Sequence, residues 1–179
     1  MAFLIGSAME ALIDSILNLL GSIFGSSFFA KCAITFIVAM LPIVELRGAI
    51  PIGVGALGLP IPLAAFVSLW GNMLPVPFVI LFARRVFAWM RNKSKRLGAF
   101  ADLLENRAKA KGASLYRKGL IGLMIFVAIP LPGTGAWTGA MIAALLDIRL
   151  KAALPTIGAG VLIAGIIVSV ITYGFTSFG

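Results

Sequence analysis

Glu45 and Arg47 are the only charges between Lys31 and Arg84, and they stand two residues apart inside an apolar stretch. Ionisable groups at membrane depth cost several kcal/mol unless they pair or line a wet cavity, so they mark substrate or ion paths. A carboxyl there can carry a proton, and an arginine can hold a phosphate through paired donors. Burial disfavours an ionised carboxyl while a neighbouring arginine favours it, which poises Glu45 to load and unload. Pro42, Gly48, Pro51 and Gly53 surround the pair. Helix-breaking residues at membrane depth are tolerated only inside protein or against a cavity, and a charge on such a break is a pointer to a transport site. The structural alternative is an internal salt bridge that fixes a hairpin tip. Buried ion pairs contribute little net stability, which makes that an inefficient use of two charges.

A second cluster, Pro130-Leu-Pro132-Gly133-Thr134-Gly135-Ala-Trp137-Thr138-Gly139, has no charge. Its glycines let backbone approach a ligand, and its threonines offer hydroxyls. Free N–H groups at the start of the following helix would form an anion cradle. A glycine-lined helix crossing would have the same composition, and Trp137 serves either packing or substrate contact. The Gly-x-Gly here is no nucleotide fingerprint, because no βαβ pattern surrounds it. Asn72, between Gly71 and Pro75, either satisfies a carbonyl freed by Pro75 and Pro77 or faces the same cavity as the two clusters. Asp147 and Arg149 mark a membrane boundary or form a gate. With no His and one Cys, Cys32, disulfide frameworks, zinc sites and Cys/His nucleophiles are excluded. Neither a metal, a cofactor nor an enzymatic activity is expected.

These residues must be positioned by membrane helices. Of 179 residues, 61% are hydrophobic and 12% charged, with mean hydropathy +1.10. That length forms a single membrane domain. The N-terminus shows no signal-peptide pattern, so insertion is expected to depend on the internal helices. Residues 1–29 place Ser7, Glu10, Asp14, Asn18 and Ser22 at steps of three and four, an amphipathic helix with one polar stripe. A proton-carrying role for Glu10 or Asp14 is the alternative. Two similar units follow, 31–90 and 118–176, joined by a basic segment over 91–117. Each opens with an apolar run too short to cross: Cys32–Val44 and Gly119–Ile129 reach about 20 and 16 Å against a core of about 30 Å. Each then meets its proline-glycine cluster, runs on through a second short helix, and closes with a crossing segment, Pro60–Ala83 or Ala152–Tyr173. Short, broken, short predicts a re-entrant hairpin. A shift of 88 aligns Pro42 with Pro130, Ala56-Leu57 with Ala144-Leu145 and Ala64-Ala65 with Ala152-Ala153.

Charge sets the expected topology. Residues 84–118 hold eleven of the fifteen basic residues and only Asp102 and Glu105, so the rest of the chain is neutral. The positive-inside rule places this loop in the cytoplasm without invoking nucleic acid. Leu97, Phe100 and Leu104 recur there at helical spacing with Glu105 four before Lys109, which suggests a surface helix on anionic headgroups or a platform for a soluble partner. The first hairpin then enters from outside, the second from inside, and the C-terminus lies outside. The expected fold is therefore an all-α integral membrane protein of the cell (inner) membrane, an inverted repeat of two re-entrant hairpins each followed by a transmembrane helix.

Leu41-Pro-Ile-Val-Glu-Leu-Arg-Gly-Ala-Ile-Pro51 together with Pro130–Gly139 closely resembles the putative small multi-drug export family, over about residues 30–175. That family is regarded as a distant branch of the DedA (VTT-domain) superfamily. The resemblance implies two oppositely facing re-entrant hairpins and translocation of lipids or lipid carriers such as undecaprenyl phosphate, often tied to the proton gradient. The superfamily's second motif carries arginines flanking Pro-Gly. Here Pro132-Gly133 has none, since no arginine stands in 119–148, so Arg47 must do more of the work or the substrate differs. The expectation is proton-coupled transport of an amphipathic anion such as a polyprenyl phosphate, with membrane lipids, substrate and protons as partners and oligomeric state open. Export of lipophilic cations and a non-transporting scaffold are the alternatives.

Overall fold

A computed structural model describes residues 27–93, 113–131 and 133–178, together with isolated positions between 11 and 25 and at 99, 102 and 103. Pro132, Ser7, Glu10 and the residues expected to form the basic surface helix (Leu97, Phe100, Leu104, Glu105, Lys109) lie outside them. Asp14, Asn18 and Ser22 are at helical, exposed positions. Among the described residues seven α-helices have defined bounds: α1 Phe28–Met40, α2 Glu45–Gly55, α3 Ile61–Met73, α4 Pro75–Lys93, α5 Ala113–Ala128, α6 Ala136–Leu145 and α7 Leu150–Phe178.

Local chemistry sets the breaks. The Ser27 hydroxyl accepts from the Ala30 N–H at 3.2 Å and caps α1. Leu41 ends that helix in an extended conformation (φ −69°, ψ 132°), as the residue before Pro42 must. Gly119 takes φ 53° and ψ −131° inside α5, separating its basic start from the apolar Gly119–Ala128. α2 and α6 each end in a positive-φ turn, at Gly58 (φ 68°) and Asp147 (φ 51°). After α6 the N–H of Ile148 returns to Ala143 and that of Asp147 to Ala144, a Schellman closure.

Among the described residues two stretches are long and apolar enough to cross a membrane: Ile61–Met90, which joins α3 to α4, and Leu150–Ser177 in α7. α1, α2 and α6 have 13, 11 and 10 residues, too short to span. Phe66, Trp70, Phe78 and Phe82 on the first span and Ile166, Val170 and Phe175 on the second are exposed, a surface suited to lipid and unsuited to water.

α1, α2 and α3 pack on one another, as do α5, α6 and α7; α2 also packs on α7, and α6 on α4. The shared core holds Leu46 and Ile50, Val76 and Ile80, Leu123 and Val127, the alanines of α6, and Ile157 and Val161. Both helix crossings depend on a glycine. A Cβ on Gly71 would run into the carbonyl of Phe36, and one on Gly160 into that of Met124. Gly160 is 89 residues after Gly71, and Met124 is 88 after Phe36.

Candidate functional site

The two proline-glycine clusters meet, and Glu45 and Arg47 join them crosswise. α2 starts at Glu45 directly after the turn at 41–44, and its first residue takes a positive φ of 50°. This is the left-handed region, unfavourable for a residue with a Cβ. It sends the carboxylate, on a residue only 5% exposed, into the second cluster. There Glu45 Oε1 accepts the backbone N–H of Trp137 at 3.2 Å, in the first turn of α6. The N-terminal N–H groups of a helix are unsatisfied and its dipole is positive there, so a carboxylate is a fitting cap. Gly135 precedes that turn with φ 147° and ψ −169°, a conformation essentially confined to glycine, and a Cβ on it would strike the Glu45 carboxylate.

Arg47 serves the other end of the same break. Its guanidinium donates to the carbonyls of Leu131 and Ile129, just past the end of α5, and to Thr134 Oγ1 at 3.0 Å. Thr134 Oγ1 in turn lies 2.7 Å from the Ile129 carbonyl and 2.8 Å from that of Leu131. The same carbonyls also accept the N–H groups of Leu131 and Thr134, and a cation beside the carbonyl end of a helix matches the negative end of its dipole. The expected alternative of a salt bridge between Glu45 and Arg47 is corrected: each charge bonds to the opposite cluster, because a broken helix offers an N–H end to the acid and a carbonyl end to the base. The anion cradle expected at α6 is likewise occupied, by a carboxylate of the protein itself.

Trp137 ties a third element in. Its indole N–H donates to the Met40 carbonyl at the end of α1 at 3.1 Å. Met40 and Trp137 are also wall residues of a groove of about 660 Å³ that runs along α4 past Leu74, Phe78 and Phe82 to Arg85. That volume falls within the usual range of small-molecule sites. From Leu74 to Arg85 the helix rises about 16 Å, half of a bilayer core of about 30 Å. The groove is lined by apolar side chains and one arginine, with no acidic residue.

The other expected site residues are dispersed. Pro42 is exposed in the turn before α2, and Gly48 is half-buried where a Cβ would meet Val44. Gly133 turns the chain with φ 82° in open space. Asn72 satisfies no freed carbonyl and does not line the groove: its amide is wholly buried and both polar atoms are without a partner. Asp147 pairs with Arg84 at 3.5 Å, not with Arg149, because Arg84 reaches across from α4 and also donates to the Ile148 carbonyl. Arg149 is exposed. Sequence reasoning missed Arg84 and Arg85 by folding them into the basic loop. The spacing of Phe78, Phe82 and Arg85 along one face of α4 was the available signal.

The family model described as "Putative small multi-drug export protein" matches residues 45–167. No curated protein and no solved structure matches the chain.

Proposed function

The chain belongs to the putative small multi-drug export protein family, and from that premise we propose that it transports an amphipathic anion across the membrane, with Glu45 exchanging the coupling proton. The observation that carries this reading is the double role of Trp137. Its backbone N–H holds the Glu45 carboxylate, and its side chain is a wall of the groove. Protonation of Glu45 would remove the charge that caps α6 and release Trp137 and Met40 together, reshaping the groove. A substrate that fills the groove would in turn favour one protonation state, since two sites that bias one element are coupled reciprocally.

Substrate class follows from the lining. A lipophilic cation finds no counter-charge in the groove and meets Arg85, whereas an anionic headgroup at Arg85 leaves its chain along Phe82, Phe78 and Leu74 toward the crossed clusters. The groove's reach, about one leaflet deep, suits entry from the cytoplasmic leaflet if the basic loop faces that side. The likeness to the DedA superfamily, which rests on the sequence motifs, adds polyprenyl phosphates to this class. Support for an internal repeat comes from the paired crossings at Gly71 and Gly160 and the paired turns at Gly58 and Asp147. Positive-inside charge argues that the two units are oppositely oriented in the inner membrane.

The family's printed description favours a second reading, export of lipophilic drugs. Proteoliposomes carrying the full chain discriminate. NBD-labelled farnesyl phosphate, followed by dithionite quenching, should cross in the wild type and slow in Arg85→Gln. Uptake of tetraphenylphosphonium with no movement of the phosphate would establish the drug-export reading instead. No flux of either would leave a scaffold.

A further inference from the structure

Arg84 is a charge that neither the groove nor the crossed clusters use. It stands on α4 four residues after Ile80 and eight after Val76, on the face whose side chains pack with the alanines of α6. Arg85 instead continues the outward row of Phe78, Leu81 and Phe82 that lines the groove. Successive residues of a helix point about 100° apart, so the two arginines address different neighbours.

The Arg84 guanidinium donates to the Ile148 carbonyl and lies 3.5 Å from Asp147, both in the closure that follows α6. Its Nε is buried without a hydrogen-bond partner. Arginines near a membrane boundary ordinarily extend their heads to the polar interface, and this one turns inward with a donor unmet. Asp147 does not account for that choice, because its side chain is 90% exposed and its attraction is largely screened. The contact that holds Arg84 is the carbonyl.

Ile148 comes eleven residues after Trp137, and Arg84 ten after Leu74. Trp137 and Leu74 share the groove, so α6 with its closure runs beside α4 in the same direction over about 15 Å. The contribution of α6 to the core is four alanines, which give a facing helix shallow ridges to lock against. Apolar burial is non-directional, whereas a charge-assisted hydrogen bond fixes an angle. The bond from Arg84 supplies the rotational constraint that alanine packing lacks.

We infer that Arg84 is a positioning residue for Arg85: its bond to the Ile148 carbonyl sets the rotation of α4 against α6, so that Arg85 faces the groove. The inference rests on the reading of the groove as a site for an amphipathic anion. Arg84 acts on the headgroup only through Arg85.

The test uses Arg84→Met, which keeps an unbranched stem and removes every donor. In proteoliposomes of the full chain it should raise the KM for NBD-labelled farnesyl phosphate at least about tenfold, as expected of a misaimed charge-assisted hydrogen bond, with kcat little changed. Arg84→Lys keeps a charge and a donor without the planar fork and should raise KM about threefold, so the test survives if Arg84→Met does not insert. In an Arg85→Gln background neither change should raise KM further. Increments that add would place Arg84 on the headgroup itself and overturn the inference, as would an unchanged KM in both variants. A second readout needs no substrate: a spin label at Arg85→Cys, in a Cys32→Ala chain in nanodiscs, should gain mobility when Arg84→Met or Arg84→Lys is added. Unchanged mobility would overturn the lock. A label that responds in a protein moving no farnesyl phosphate would support the lock and sink the anion reading of the groove.

Discussion

At Glu45 the first half of the chain turns through a φ of 50°, and 88 residues later Gly133 turns the second half through a φ of 82°. The same bend is made by a glycine in one half, where no side chain opposes it, and by a glutamate in the other, where the Cβ does. The difference extends to charge. The second half has a break with exposed N–H and carbonyl ends and no ionisable group, while the first supplies the acid and the base that close both ends. A left-handed non-glycine residue that a glycine would relieve points to a role for its side chain. Here that role is to hold a carboxylate between two helix ends and beside the groove.

The largest effect is expected where the halves touch most closely. Gly135→Ala forces a glycine-only conformation on alanine and pushes a methyl into the Glu45 carboxylate. It should destabilise by about 3–5 kcal/mol in detergent unfolding and abolish transport. Gly133→Ala meets open space and should lose only about 1–2 kcal/mol, from its φ alone. If the two variants lost equal stability, the contact between carboxylate and glycine would be unimportant.

Arg47→Ala comes next. It removes the guanidinium from the Leu131 and Ile129 carbonyls, which keep the backbone N–H groups of Thr134 and Leu131, and takes a neighbouring positive charge from Glu45, at about 2 kcal/mol. Arg47→Lys should recover part of this, since a lysine offers a point charge and no fork. Full recovery by lysine would show that charge alone matters there.

The strain of the first bend can be read at Glu45 itself. Glu45→Gly removes the carboxylate and the strained Cβ together, whereas Glu45→Ala removes only the carboxylate. Glycine should therefore be the more stable variant by about 1 kcal/mol, with transport losing its pH dependence in both. Alanine more stable than glycine would mean the bend is not strained.

The smallest effect belongs to Asp147, the other non-glycine residue with positive φ among the described residues. Its side chain is 90% exposed and its pairing with Arg84 is largely screened. Asp147→Gly should change stability by less than about 1 kcal/mol and leave transport unaltered, because the backbone closure after α6 supplies what that turn needs. A loss of flux with stability intact would restore Asp147 as a gate.

Much of this arrangement was legible in the sequence because local rules govern it. The residue before Pro42 had to leave the helix, the apolar runs were too short to cross, and Glu45 and Arg47 stood out against an uncharged background. The partners of those charges were not legible. They are backbone groups of Ile129, Leu131 and Trp137, which any sequence carries at every position and which only a helix break 82 to 92 residues away exposes. The positive φ at Glu45 was hidden for a related reason: a glutamate gives no local sign of a turn that tertiary contacts impose. Arg85 was read as one more loop charge because its groove exists only once Met40 at the end of α1 and Trp137 of α6 come beside α4. Asn72 was assigned a neighbour by proximity in sequence, and packing against α1 left it none.

Glu45 is proposed to link protonation to the groove. Its most direct test is dithionite-quench translocation of NBD-labelled farnesyl phosphate in proteoliposomes, with and without an imposed pH gradient, for the wild type and for Glu45→Gln of verified fold. The wild type should respond to the gradient, and Glu45→Gln should move the lipid, if at all, at a rate indifferent to it. A Glu45→Gln protein that still follows the pH gradient as the wild type does would contradict the account and leave the carboxylate a structural cap on α6.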